Sequence, residues 1–254
     1  MRPEISIIVP AFEEEDRLGG TLRDILGYLL ASGASAELIV VDDGSNDRTS
    51  EVGREVVSDF PELPSSVIRY EINRGKGYAV KTGLLAAKGS IALFSDADLS
   101  TPIDEMDKLL GPIRNDEYDV TFGSRALDRS LIGDHQPWRR EQGGKVFNLI
   151  VRLMTGMPYW DTQCGFKAFR MDKFSPLLPL MQIDRFGFDV EFLFVARLHG
   201  LRLLEVPVRW NNDDRSKVNV IRDSLRMFDE VRQIRRNARN GLYELAKEES
   251  APRT

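Results

Sequence analysis

Short apolar runs at residues 5–9, 38–41, 67–70, 91–94 and 120–122 alternate with stretches of helical period through the first half of this chain. Such alternation commits a chain to an α/β architecture with a mostly parallel sheet, because parallel neighbours need a crossover and the crossover helices cover the sheet faces. The first helix is the plainest: Leu18, Leu22, Ile25, Leu26, Leu29 and Leu30 share one face, and Gly33 supplies the stop. In an open sheet of this kind the ligand crevice lies outside the carboxyl ends of the strands. Asp42 and Asp43 follow the second strand and Asp96 and Asp98 the fourth, so the four carboxylates are expected on one side as parts of one site.

The second half is less regular. It offers an amphipathic stretch at 145–155, a short strand at 165–170, a helix at 189–199, a strand at 203–208 and a long terminal helix at 219–240. No Pro/Gly/Ser-rich linker separates the halves. One domain is therefore expected over residues 1–240, with a nucleotide-sugar half at 1–125, an acceptor half at 126–240 and a tail at 241–254. With 254 residues, 42% of them hydrophobic, a sizeable core is available. A formal net charge of −5 is the wrong sign for a general nucleic-acid binder. The lone cysteine, Cys164, permits no intrachain disulfide, and with only two histidines a structural zinc site is a poor fit. The first residues run straight into a strand, and Arg152 interrupts the best apolar stretch, so the expectation is a cytoplasmic protein whose membrane contact is peripheral.

Asp96-Ala97-Asp98 ends an apolar strand, and in extended backbone residues i and i+2 point the same way, so two carboxylates can converge on one hard cation. A solvated acidic turn is the competing explanation, since Glu13 with Glu15 shows the same spacing. Asn73-Arg74-Gly75-Lys76-Gly77 is a glycine-flexible loop with two cations leading into a helix, a setting for phosphate or simply a charged turn. The chain has no G-x-x-x-x-G-K-[ST], and Val80 stands where a dinucleotide fingerprint needs its third glycine. Gly123-Ser124-Arg125 ends the fifth strand, where Arg125 can pair with a phosphate or lie on the surface. The 42–47 turn can equally cap the helix that begins near Thr49, and Asp189 with Glu191 can be the acidic first turn of a helix.

Together with Ile7-Ile8-Val9-Pro10-Ala11-Phe12-Glu13-Glu14 and Val40-Val41-Asp42-Asp43-Gly44-Ser45, these blocks resemble, in this order, a family 2 glycosyltransferase of the GT-A fold. Asp161-Thr162-Gln163-Cys164-Gly165-Phe166-Lys167 and Arg185-Phe186-Gly187-Phe188-Asp189-Val190-Glu191 resemble the dolichyl-phosphate β-glucosyltransferases more than their mannose-transferring relatives. The resemblance implies a nucleotide-sugar site of Pro10, Ala11, Glu13, Asp43, Asn73, Lys76, Asp96, Ala97, Arg125 and Gln163, with Asp43 accepting from the N–H of a uracil. It implies Mg²⁺ or Mn²⁺ on Asp96 and Asp98, catalytic roles for Asp96, Asp98, Asp189 and Lys217, and an acceptor site of Arg125, Asp161, Arg215, Ser216 and Lys217.

The implied reaction is an inverting, non-processive transfer of a hexose, glucose in its sharpest form, from a UDP-sugar to a polyprenyl (dolichyl or undecaprenyl) phosphate. An acceptor phosphate is already anionic, whereas a hydroxyl acceptor needs a general base, with Asp189 or Asp161 the candidates. The processive relatives carry Gln-x-x-Arg-Trp, but here Val206 stands in the glutamine position before Arg209-Trp210. GDP-mannose as donor, a soluble hydroxyl acceptor and a silent nucleotide-sugar-binding protein are the alternatives. In the terminal helix Val220, Ile221, Leu225, Phe228, Val231 and Ile234 can share an apolar face among arginines, which suits either a bilayer-surface anchor or packing on the core.

Overall fold

The computed structural model describes residues 2–134, 138–212 and 220–245, with the backbone course alone at 138–140 and 220–225. In chain order the elements are β1 (Ile5–Ala11), α1 (Leu18–Ser32), β2 (Ala36–Asp42), α2 (Thr49–Ser58), β3 (Ser65–Arg69), α3 (Lys76–Ala86), β4 (Ile91–Ser95), α4 (Met106–Arg114) and β5 (Val120–Ser124). There follow α5 (Trp138–Thr155), β6 (Phe166–Arg170), the single turn α6 (Met171–Phe174), α7 (Phe188–Leu198), β7 (Leu203–Pro207) and α8 (Val220–Arg239).

The seven strands form one sheet in the order β3-β2-β1-β4-β6-β5-β7. Every pairing is parallel except those of β6, which runs antiparallel between β4 and β5. Both faces are covered, as a parallel sheet requires. Ile5, Ile7, Val9 and Ala11 of β1 join α1 and α4 in one core, while Ile8 points through to the other, built on α3, α5, α7 and α8. Leu18, Leu22, Ile25, Leu26 and Leu29 are buried as their spacing predicts, and Gly33 ends α1 at φ 65°.

The antiparallel strand is what the sequence does not reveal, and it decides the site. An antiparallel strand begins where its neighbours end: Phe166 pairs with Ser95, the last residue of β4. The 161–165 segment is thereby delivered to the carboxyl ends of β4 and β5, and the sheet runs through both halves of the sequence.

The described end of the chain packs on the core, one of the two uses open to its apolar face, and extends the folded unit. Among the described side chains of α8, Val231 and Ile234 are buried in the core, with Met227 packed against it, so this part of the apolar face is turned into the protein and not towards a bilayer. The side chains of Val220, Ile221 and Leu225 lie outside the described residues. Tyr243, assigned to the tail, is 1% exposed and donates its hydroxyl to Glu191 at 2.6 Å, so the folded unit continues past residue 240. No helix among the described residues is long and apolar enough to cross a membrane.

Candidate active site

A cavity of about 430 Å³ opens at the carboxyl ends of β1 and β4, lined by the ends of both strands, the start of α3 and Arg185 and Phe186. Order in the strand-to-helix turns makes its walls. Glu13, at φ 54°, donates its backbone N–H to the Ser45 hydroxyl and Glu14 donates to the Thr49 hydroxyl, each at 2.8 Å, which ties the turn after β1 to the turn after β2. Pro10, Ala11 and Glu13 thus face the cavity from a fixed turn, with Arg17 beside them and paired to Glu14.

The two acids after β2 part company. Asp42 is fully buried and takes the Ser45 N–H at 2.9 Å and the Ser50 hydroxyl, so it organises the turn and lies outside the cavity, contrary to the expectation of four clustered carboxylates. Asp43 lines the cavity, but its oxygens already accept from the Tyr70 hydroxyl (2.7 Å), the Asn73 amide (2.9 Å) and the backbone N–H groups of Arg74 and Gly75 (2.8 Å each). Its geometry is that of a clamp holding the 73–75 loop. Gly75 sits at φ 112°, where a Cβ would lie 2.5 Å from Asp184 O, and a Cβ at Gly77 would lie 2.6 Å from Ile183 O. The two glycines therefore let α3 start directly against the 183–185 segment.

That start places Lys76 over the acids after β4. Lys76 Nζ lies 2.6 Å from Asp96 Oδ1, so the ammonium is the charge partner of that buried oxygen. Burial opposes the charge on Lys76, but Asp96, Asp189 and Asp98 together raise its pKa above the ordinary lysine value. Asp96 rests on Gly165: its N–H donates to Gly165 O at 3.0 Å, and a Cβ at 165 would overlap the carboxylate. Asp98 accepts from Ser100 N–H at 3.0 Å, and its pKa is raised by burial and then by the neighbouring Asp96. Two hard-oxygen ligands under mutual repulsion, one with a buried oxygen whose partner is the Lys76 ammonium, fit a divalent cation. Among the described residues no group of three or more histidines, cysteines or carboxylates assembles.

The remaining acids expected at the site are committed elsewhere. Asp161 is 2% exposed and bound through both oxygens by the Arg125 guanidinium, at 2.7 and 2.9 Å. Burial works against its charge, yet Arg125 holds its pKa below the usual carboxylate value, so it is a poor general base. Arg125 and Asp161 line a second cavity of about 470 Å³ with Arg129, Lys145, Arg152 and Trp160. Asp189, expected as catalytic, takes the ammonium of fully buried Lys167 at 2.6 Å, while the same Nζ donates to Cys164 O at 2.5 Å. Glu191 accepts from Gln182 N–H, Ile183 N–H and Tyr243 in the core and belongs to packing. Gln163 reaches Met227 Sδ of α8 at 3.7 Å. Burial, with Asp161, pushes the Cys164 thiol up to about 12, which removes it as a nucleophile. Arg215, Ser216 and Lys217 lie outside the described residues.

Three participants escaped the sequence reading. Gly165 was quoted only within a motif, Lys167 has no local signal of pairing across 22 positions, and Glu205 orients the Asp161 turn by accepting from the backbone N–H groups of Trp160 and Asp161.

Comparison with known proteins gives the family. Residues 6–178 match the model of Glycosyl transferase family 2. The chain is 37% identical over 229 residues to the dolichyl-phosphate beta-glucosyltransferase of Drosophila melanogaster, covering 85% of this chain and 69% of that protein. To the protein of that name from Dictyostelium discoideum it is 30% identical over 251 residues, covering 95% and 76%. The fold matches glucosyl-3-phosphoglycerate synthase of Mycobacterium tuberculosis, solved with Mn²⁺, UDP-glucose and phosphoglyceric acid, with a TM-score of 0.65 at 19% identity over 94% of this chain and 80% of that one. A GT-A sheet whose switch point carries the Asp96-Ala97-Asp98 turn, matched by family and relatives over most of its length, makes this chain a glycosyltransferase of family 2.

Proposed function

We propose that the enzyme transfers glucose from UDP-glucose to a polyprenyl phosphate, with inversion, in one non-processive step that depends on Mg²⁺ or Mn²⁺. The observation that carries the reading is the Asp96–Asp98 pair facing Lys76 in one cavity, with the Lys76 ammonium 2.6 Å from an Asp96 oxygen. The relatives named above as dolichyl-phosphate beta-glucosyltransferases support the donor and acceptor classes.

Asp96 and Asp98 would hold the cation, which neutralises the diphosphate as it departs. The chain's own task is positioning and charge stabilisation. Pro10, Ala11 and Glu13 frame the nucleoside from the clamped turn, and the loop held by Asp43 presents Asn73 and Lys76 to the phosphates. The acceptor follows from the state of the other acids. A hydroxyl acceptor needs a free carboxylate as base, and both candidates, Asp161 and Asp189, are spent in ion pairs. An acceptor phosphate needs none. The second cavity, where Arg129 and Lys145 share Glu141 and Arg152 lies over Trp160, keeps an excess of cations beside Leu149 that suits a phosphate on an apolar chain, and Leu149 and Leu153 stay exposed on α5 for peripheral contact with a membrane. We place that contact at the cytoplasmic face, with residues 1–125 as the donor half and 126–240 as the acceptor half.

The test is nucleotide release and glycolipid formation from UDP-glucose, other UDP-sugars and GDP-mannose, with and without a short polyprenyl phosphate. UDP-glucose turnover only in the presence of the lipid is the expected result. Turnover that ignores the lipid moves the acceptor to a soluble hydroxyl, and UDP binding without turnover of any donor leaves a silent binding protein.

A further inference from the structure

The donor cavity already holds a cation on one of its metal ligands. Lys76 Nζ is 2.6 Å from Asp96 Oδ1. Of the charged groups here, Asp96 has the least freedom to move, because its carboxylate packs against Gly165 and its N–H is tied to Gly165 O. Asp98 is turned to the Ser100 N–H. Lys76 carries its charge on a long stem at the first residue of α3, its side chain is a quarter exposed, and the backbone before it is anchored by Asp43. The ammonium can therefore swing while its Cα stays in place.

A divalent ion bound to Asp96 and an ammonium on the same oxygen repel each other strongly in a partly buried site. One must leave. Without an anionic ligand the ammonium has no better partner than Asp96, and a diphosphate entering the same cavity supplies one.

We propose that Lys76 is an internal counter-ion that stands in the metal's place on Asp96, and that the donor diphosphate releases it. The phosphates draw the ammonium off Asp96 and leave the carboxylate pair to Mg²⁺ or Mn²⁺. Metal and nucleoside diphosphate then bind cooperatively, and by linkage each tightens the other. The inference rests on the metal-dependent donor reading above and adds an order of events: the unliganded protein binds metal weakly.

The experiment is a Mn²⁺ titration of the full chain, followed by the electron paramagnetic resonance signal of free Mn²⁺, with and without UDP. Wild type is compared with Lys76→Met, Lys76→Gln and Lys76→Arg, and circular dichroism reports the fold of each. Wild type should bind Mn²⁺ weakly alone and about tenfold or more tightly with UDP, within the usual range of coupling between sites. Without UDP, Lys76→Met should bind Mn²⁺ roughly tenfold more tightly than wild type, since the competing charge is gone. Lys76→Gln should match it, and Lys76→Arg, which keeps the charge, should resemble wild type. Folded neutral variants whose Mn²⁺ affinity without UDP is unchanged or weaker overturn the counter-ion role and leave the metal reading standing. No Mn²⁺ binding by any of the proteins, even with UDP, overturns both.

Discussion

Gly165 shows how one missing side chain can shape a site. Its Cα supports the Asp96 carboxylate, and its backbone is not in the left-handed region, so alanine is allowed by the main chain and excluded only by that carboxylate. Gly165→Ala should therefore displace Asp96 and lower kcat by about 100-fold, the scale of a misplacement near 1 Å. Thermal unfolding should stay close to wild type, and a large loss of Tm would instead assign Gly165 to folding. Lys167 makes the opposite case. Its ammonium, 0% exposed, is compensated by Asp189 and Cys164 O. Removing one partner of a buried pair leaves the other uncompensated, so Lys167→Met should cost about 3–5 kcal/mol in urea unfolding, and adding Asp189→Leu should restore much of it. That Asp96, Asp98, Lys76 and Glu13 line one cavity was legible, because each stands in a turn that follows a strand or opens a helix. The ion pair of Asp189 with Lys167 was not legible, because that partner lies on β6, whose place in the sheet no local pattern discloses.

At the scale of elements, periodicity located the strands to within a few residues, since a parallel strand buried on both faces reads as a continuous apolar run. The role of Asp43 was less legible. Its four donors are Tyr70, just after β3, and Asn73, Arg74 and Gly75 of the loop before α3, and only the fold brings them to one carboxylate. Asp119, just before β5, is a second such clamp. It accepts from Arg202 and Lys173, and its backbone carbonyl takes the Arg170 N–H, which joins the far ends of β5, β6 and β7. The Arg202 side-chain hydrogen bond, against the cost of burial, and then Lys173 hold its carboxyl well below the usual range. A carboxylate depressed in the folded state contributes stability that is present above its unfolded pKa and lost as pH falls through the folded one. Asp119→Asn should therefore be less stable than wild type by about 1–3 kcal/mol at pH 7. The gap should narrow as pH falls below about 4, near the unfolded aspartate value. Urea unfolding at pH 7 and pH 3 checks this, and a gap independent of pH contradicts it.

The whole molecule joins two cavities along one sheet edge. The anionic cavity ends at Asp96 and the cationic one begins at Arg125, whose guanidinium feels the charge of Asp96 as well as that of Asp161. The sequence disclosed the parallel sheet and the crevice shared by Asp43, Asp96 and Asp98, but not the antiparallel β6 that carries Asp161 and Gly165 to it. The inward turn of the described face of α8 and the burial of Tyr243 were illegible for a related reason: an apolar stripe states that it will be covered, not by what. The central claim is that the Asp96–Asp98 pair drives glucosyl transfer to a lipid phosphate. Its most direct test is transfer of labelled glucose from UDP-glucose into polyprenyl phosphate by wild type and Asp98→Ala, with and without a chelator, and circular dichroism alongside. Asp98→Ala should keep the fold and lose transfer by about 1,000-fold or more, on the scale of removing a principal electrostatic group, and the chelator should silence wild type. Full turnover by folded Asp98→Ala, or by wild type in chelator, would contradict the account.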